Sequence, residues 1–340
     1  MENFILKDEN SIYYESNYSC DNAILLKLGS EKIFITDARY TVEAKNSTKD
    51  IEIVESVDLI NSVKEILEKY SIKEVVFNPK EWTVFDFQKL DSLKNCTFKS
   101  KIDFHRLKRA IKSDREIELL RKACQIGRDC FNTFAKEIPN YERKDEKYLD
   151  FKFKNILSSY GEYDLSFNPI IAINENGAKP HSLPTIKELK SGDLLLVDAG
   201  IKYKRYCSDR TATSIYNENK INFDREQKFS DREIMKAYDL VRKAQEDTIL
   251  KVRVGMKASE VDKIAREIII GGGMGDYFIH STGHGVGLDI HEYPFISTKS
   301  NTIIKDNMVF TVEPGVYFEN RFGIRIEDMV VMKNGKAEIL

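Results

Sequence analysis

Apolar runs that end on a carboxylate restrict what this chain can fold into more than any other feature. Leu194-Leu-Leu-Val197 runs straight into Asp198-Ala-Gly200, and Met308-Val-Phe-Thr-Val312 runs into Glu313, after which Pro314-Gly315 forces a turn. Asp209 stands at the start of the strand-like stretch Thr211–Tyr216. Glu327 lies inside Ile324–Val331, where Ile326 and Met329 would otherwise make an apolar strand. A buried carboxylate is costly unless it is paired or binds a metal. Any one of these acids alone reads as a turn or edge residue. Four of them interrupting apolar strands imply a shared cation site, with Asp198 and Asp209 brought together on adjacent antiparallel strands.

The histidines support that reading. Of five, His181, His280, His284 and His291 fall in the second half of the chain beside acids and glycines, and His105 stands apart at the expected domain junction. His280 and His284 have helical spacing, but Gly283, Gly285 and Gly287 exclude a stable helix and with it a helical zinc-protease motif. The same glycines lack the Lys-Ser/Thr ending and following helix of a phosphate loop. They are expected to let the backbone approach a ligand and to set imidazoles at sharp angles. Four carboxylates with one imidazole suit Mn²⁺, Co²⁺ or Zn²⁺ better than a thiolate-loving metal. Their charge exceeds that of one divalent ion, so two ions about 3.5–4 Å apart, bridged by carboxylates, are expected.

Composition narrows the alternatives. With 32% charged residues but a net charge of -2, the chain lacks the basic excess of a nucleic-acid binder. The lysine-dense Lys99–Lys112 stretch is interrupted by Asp103 and by apolar residues, as on a solvated face. No apolar run is long enough for a membrane span, and Met1–Asn10 has no signal-peptide core, so a cytoplasmic protein is expected. Five cysteines without a Cys-x-x-Cys read as reduced thiols; Cys124 and Cys130 as packing residues, and Cys207 as a poor candidate for a catalytic thiol.

A length of 340 residues favours two domains, expected at 1–105 and 106–340. In the first, Ala23–Leu28 and Lys32–Thr36 form a hairpin at Gly29-Ser30, Asp58–Tyr70 is a helix, and Val75–Phe77 is a buried strand stopped by Asn78-Pro79. In the second, Ser113-x-x-Glu116 caps a long helix with Ile117, Leu120, Cys124, Phe131, Phe134 and Ile138 on one face. Further helices are expected over Asp145–Tyr160, from a second capping box at Ser230-x-x-Glu233 to before Gly255, and from Ser259 to Gly271. Helix pairs separated by short strands suggest a mixed α/β domain with an antiparallel sheet.

The ordered set Asp198, Asp209, His284, Glu313 and Glu327, carried in Asp198-Ala-Gly, Gly283-His-Gly-Val-Gly and Glu313-Pro-Gly, resembles the pita-bread metallopeptidases. Within them it is similar to the Xaa-Pro aminopeptidase (aminopeptidase P) and prolidase branch. The resemblance is strong over the catalytic half. Over the N-terminal domain it rests on size, element order and Asp37-Ala-Arg-Tyr40. It implies an α/β protein: a small α/β N-terminal domain, then a pita-bread (creatinase/aminopeptidase) domain with a curved, mixed antiparallel sheet.

The resemblance also implies roles. Asp198 would chelate one ion, Asp209 and Glu327 would bridge both, and His284 and Glu313 would complete the second. His181 and His291 would orient substrate and stabilise the tetrahedral intermediate, His280 would line the pocket, and Arg325 would support Glu327. A hydroxide held between two Mn²⁺ ions would attack the carbonyl before proline, with Glu313 shuttling the proton to the leaving nitrogen. The implied substrate is a peptide with proline in second position, the implied assembly a homodimer, with neither nucleic acid nor membrane as partner. Rival readings are a dipeptide-only prolidase, a methionine aminopeptidase, which normally lacks the N-terminal domain, a creatinase, which lacks the metal set, and a non-catalytic pita-bread binding module, which has typically lost ligands. Two departures stand out. Ala212 replaces the usual arginine, for which Arg210 is a possible substitute, and the chain begins close to what would be the second strand of the N-terminal domain.

Overall fold

The computed structural model describes residues 2–340, and the chain divides into two compact units, Met1–Lys108 and Arg109–Leu340. The division falls inside Phe104–Arg109, which is helical. The first unit is built on a six-stranded mixed sheet with spatial order Glu52–Glu55, Glu31–Thr36, Ala23–Leu28, Phe4–Leu6, Glu74–Phe77, Thr97–Ser100. The expected hairpin forms between Ala23–Leu28 and Glu31–Thr36, turning at Gly29 with φ 61°, a conformation that costs a Cβ-bearing residue. Asp58 caps the Leu59–Lys69 helix by accepting from the Asn61 amide, and Val63 and Leu67 join the sheet's core. His105 belongs to this unit. It is buried, with Nε2 3.0 Å from Glu15 Oε1, and Lys32 and Lys108 pair with the same carboxylate.

In the second unit, the Ser113 hydroxyl and Glu116 carboxylate form the expected capping box on the Asp114–Glu137 helix. Its apolar face, from Ile117 to Phe134, is buried. The helices Glu146–Ser158, Arg232–Lys251 and Ala258–Gly271 complete the α layer. The cap of the third helix differs from expectation. Asp231, rather than Ser230, accepts from the Glu233 and Ile234 amides, because a carboxylate one residue closer to the helix reaches both. Glu233 is instead paired with Arg321 at 2.7 Å.

The strands of this unit form antiparallel ladders in sheets of three, three, five and two strands. Leu194–Ala199 runs between Ile170–Ile173 and Arg210–Ile215. The expected strand Ile324–Val331 is two strands. Phe322–Arg325 pairs with Gly315–Phe318, and Asp328–Lys333 pairs with Val309–Val312. Glu327 lies in the break, which frees its side chain from the alternation of either strand. No described helix is long and apolar enough to cross a membrane.

Candidate active site

Strand register assembles the acids. Thr211 stands opposite Asp198, with Asp209 just before that strand. The Glu327 amide donates to the Thr211 carbonyl at 3.0 Å, placing the break against the same strand. Val312 pairs with Asp328, so Glu313 and Glu327 leave the same end of one ladder. The Glu313 amide donates to the Thr282 carbonyl at 2.8 Å, and the His284 amide donates to Thr311 Oγ1 at 3.0 Å. The glycines flanking His284 are required by this packing. A Cβ on Gly283 would lie 2.0 Å from the Thr311 carbonyl oxygen, and one on Gly285 would lie 2.2 Å from that of Tyr293.

The result is one buried cluster lining a cavity of about 660 Å³. Ligand atoms of Asp209, His284 and Glu327 lie within 4.8 Å of one another. His284 Nε2 is 3.6 Å from Asp209 Oδ2 and 3.4 Å from Glu313 Oε1. Asp198 lines the same cavity; Arg325 Nη2 donates to its Oδ2 at 2.6 Å, while its Oδ1 is buried without a hydrogen-bond partner. Burial, reinforced by the neighbouring carboxylates, pushes Asp209 and Glu327 well above the usual carboxylate range, and burial also raises Glu313.

The donor set fits divalent cations. His284 Nδ1 is 3.1 Å from the Gly285 carbonyl, which only accepts, so Nδ1 carries the proton. Burial lowers the His284 pKa, so the ring is neutral and Nε2 presents a lone pair to two carboxylates. A lone pair facing acids, an orphaned Asp198 oxygen and carboxylates driven toward protonation are all relieved by cations among them. Asp198, Asp209, His284, Glu313 and Glu327 are the residues that would hold them.

The surrounding residues are held by contacts with one another and with the ligand set. Arg325 reaches Glu327 through Thr211 rather than by direct contact. Its Nε donates to Thr211 Oγ1 at 3.0 Å, and that hydroxyl donates to Glu327 Oε2 at 2.6 Å. Strand alternation explains why: Thr211 and Thr213 face Glu327 and Arg325, whereas Ala212 faces a hydrophobic core. Arg210 shares Ala212's side; it donates to the Phe223 carbonyl and stacks over Phe131, and so does not substitute in the site. His280, His181 and His291 all line the cavity. His280 Nδ1 donates to the Ser281 carbonyl at 2.7 Å, and its Nε2 accepts from Tyr317 Oη at 2.8 Å. Burial lowers His280 and His291, making both neutral near pH 7, and raises Tyr317 to about 12, keeping it a donor. Tyr317, Thr211 and Thr311 escaped the sequence reading. The alternating threonines at 211 and 213 were the one available signal.

The loop between His280 and Glu292 is pinned at both ends. Asp262 Oδ1 accepts from the Thr282 amide at 3.1 Å, and Arg266 Nη2 donates to the His280 carbonyl at 2.8 Å. At the other end, Lys112 pairs with buried Glu292 at 2.7 Å, next to His291. Cys207 lies outside the cavity lining; burial raises its thiol to about 12, so it is not a nucleophile.

The raised carboxylates give a pH-dependent prediction. In the metal-free fold, stability from Asp209, Glu327 and Glu313 is present below the ordinary carboxylate range, about 4, and is lost as pH rises through their raised values. Cations bind the deprotonated form. Adding Mn²⁺ to chelator-treated protein should therefore raise the melting temperature by roughly 5–10 °C near neutral pH, for a site filled at about 100 times Kd. The increment should shrink as pH falls toward 4. Calorimetry across that range checks it; an increment independent of pH would contradict the assignment.

Comparison with known proteins identifies the family. Residues 118–334 match the metallopeptidase family M24 and residues 1–117 match the Creatinase/Prolidase N-terminal domain. The chain belongs to metallopeptidase family M24, with a creatinase-type N-terminal domain and a pita-bread catalytic domain. It is 33% identical to an Xaa-Pro dipeptidase of Pyrococcus furiosus, over 99% of this chain and 92% of the relative. Among solved structures it is similar to an Xaa-Pro dipeptidase from Bacillus anthracis, with TM-score 0.91, 29% identity, and coverage of 99% of this chain and 92% of that one. It is also similar to an X-Pro aminopeptidase from Thermotoga maritima MSB8, with TM-score 0.88, 30% identity, and coverage of 100% and 95%.

Proposed function

We propose that this metallopeptidase hydrolyses the bond before proline, removing the N-terminal residue from peptides with proline in second position. The observation that carries the reading is the complete five-residue ligand set on the wall of one cavity. A non-catalytic binding module would have no need of it. Two divalent ions, Mn²⁺ in the first instance, would supply acidified water near neutral pH and polarisation of the scissile carbonyl.

The chain's own groups do the rest. His291 and His181, on the cavity lining, orient the peptide carbonyl and donate to the oxygen as its charge grows. Glu313, bonded by Thr311 Oγ1 at 3.2 Å, takes a proton from the attacking water and passes it to the leaving nitrogen. That nitrogen carries no hydrogen in an Xaa-Pro bond, so recognition has to come from shape and carbonyl contacts rather than an amide donor. Apolar Phe167, Ile290 and Phe295 on the lining suit the pyrrolidine ring.

A dipeptide-only activity is the second reading, favoured by the names of two similar proteins. Exposure of the lining at Leu183 favours the first. Leu183 lines the cavity yet is 82% exposed, which leaves that side open to a longer chain. Turnover of an Xaa-Pro dipeptide and an Xaa-Pro-Yaa tripeptide should be compared on the Mn²⁺-loaded protein. The tripeptide is expected to have the higher kcat/KM; cleavage of the dipeptide alone would establish the second reading, and cleavage of neither would defeat both.

A further inference from the structure

The segment that carries His181 has little regular structure of its own. After a single 3-10 turn at Asn174–Ala178 it runs through Pro180, His181, Ser182, Leu183 and Pro184 along the cavity before rejoining the body of the unit. Such a stretch holds an imidazole in place only if something outside it closes the loop. A buried carboxylate bonds to both of its ends. Glu146, in the first turn of the Glu146–Ser158 helix, is fully buried. Its Oε1 accepts from the Ile173 amide at 2.7 Å. Its Oε2 accepts from Asn176 Nδ2 at 2.8 Å, from the Thr185 amide at 2.6 Å and from Thr185 Oγ1 at 2.6 Å. All four donors are neutral, and they flank His181 on both sides in sequence.

We propose that Glu146 is a positioning residue for the reaction: its carboxylate ties off the loop between Asn176 and Thr185 and thereby fixes where His181 stands in the cavity. This rests on the functional reading above, since it gives His181 a task to be positioned for. The backbone continues the same tie, with the Glu146 amide donating to the Lys187 carbonyl at 3.1 Å and the Lys147 amide donating to that of Thr185 at 3.1 Å. Within the loop, Asn176 Nδ2 also donates to the Leu183 carbonyl at 3.0 Å. Arg325 Nη1 reaches the Pro180 carbonyl at 3.2 Å while its Nη2 holds Asp198, so the loop and a candidate ligand share one guanidinium. A carboxylate is suited to this junction because it only accepts. Glutamine would turn one of its two acceptors into a donor facing donors.

The test is Glu146→Gln alone and combined with His181→Ala, on the Mn²⁺-loaded protein with an Xaa-Pro-Yaa peptide. Hydrogen exchange of residues 174–187 is measured in parallel. Glu146→Gln should lower kcat about 10- to 100-fold, the scale of a small misplacement of a reacting group, with metal affinity unchanged. It should speed exchange in the loop while leaving the Leu194–Ala199 strand protected. In the His181→Ala background it should cost little more. Thr185→Val removes one donor and gives a milder variant should Glu146→Gln fold poorly; its partial loss should be restored by Thr185→Ser. Equal losses from Glu146→Gln with and without His181, or unchanged exchange in the loop, would overturn the proposal. If the unsubstituted protein cleaves no Xaa-Pro peptide, the functional reading fails, and loop exchange alone decides whether Glu146 ties the loop.

Discussion

Replacing Asp209 with asparagine is expected to lower kcat/KM on Xaa-Pro peptides by on the order of a thousandfold, equivalent to ~4 kcal/mol of transition-state stabilisation. The substitution preserves size and shape, so the loss follows from charge and hydrogen-bond polarity. Asp209 Oδ2 lies 3.6 Å from the His284 Nε2 lone pair, and Asp209 is crowded by Glu327, Asp198 and Glu313. An amide there removes a negative charge from the ligand set and turns one potential ligand atom into a donor. Bound divalent metal should fall in parallel. Stability should move the other way in the metal-free protein, because a neutral amide relieves the repulsion that drives Asp209 toward protonation. Kinetics, metal analysis and melting of the chelated protein together check this. Turnover equal to that of the parent would remove Asp209 from the site altogether.

Part of this site was legible in the sequence because Asp198, Glu313 and Glu327 interrupt apolar stretches, whereas Asp209 stands in a polar one and joins them only as a member of the set. A carboxylate ending Leu194–Val197 or following Met308–Val312 violates the apolar pattern of a buried strand, and such violations concentrate where function is. The Ser113 capping box was equally legible, since its two bonds depend on residues three apart. Other features depend on partners far along the chain. The interruption at Ile326–Glu327 follows from pairing to two different strands, Gly315–Phe318 and Val309–Val312, which no window on Ile324–Val331 reveals. The Gly283 and Gly285 carbonyl contacts, the relay from Arg325 through Thr211 to Glu327, and the loop tie at Glu146 are likewise tertiary. Asp231 displaced Ser230 as a cap because helix starts are decided by one residue of register, which periodicity does not resolve.

Arg325 carries the second large effect, and its consequences separate a structural charge from a catalytic one. The guanidinium is buried and donates to Asp198 Oδ2 at 2.6 Å, Thr211 Oγ1 at 3.0 Å, Tyr317 Oη at 2.8 Å and the Pro180 carbonyl at 3.2 Å. Although burial works against its charge, Tyr317, Asp198, Glu313 and Glu327 hold its pKa well above that of a free arginine. Removing one member of a buried pair typically costs 3–5 kcal/mol, because the other charge is left without compensation. Arg325→Met should therefore destabilise the metal-free protein by about that amount. The metal-loaded form should lose less, since cations beside Asp198 replace part of the missing positive charge. Lysine should not restore the parent state, because a point charge cannot address Asp198, Thr211 and Tyr317 in the directions of a planar fork. Activity should fall even where the fold survives, as Asp198, the Thr211 support of Glu327 and the Tyr317 contact to His280 all lose their common anchor. Melting of Arg325→Met and Arg325→Lys with and without Mn²⁺ tests the argument. Equal losses in the two metal states would mean that Arg325 does not share the burden of the carboxylate charge with the cations.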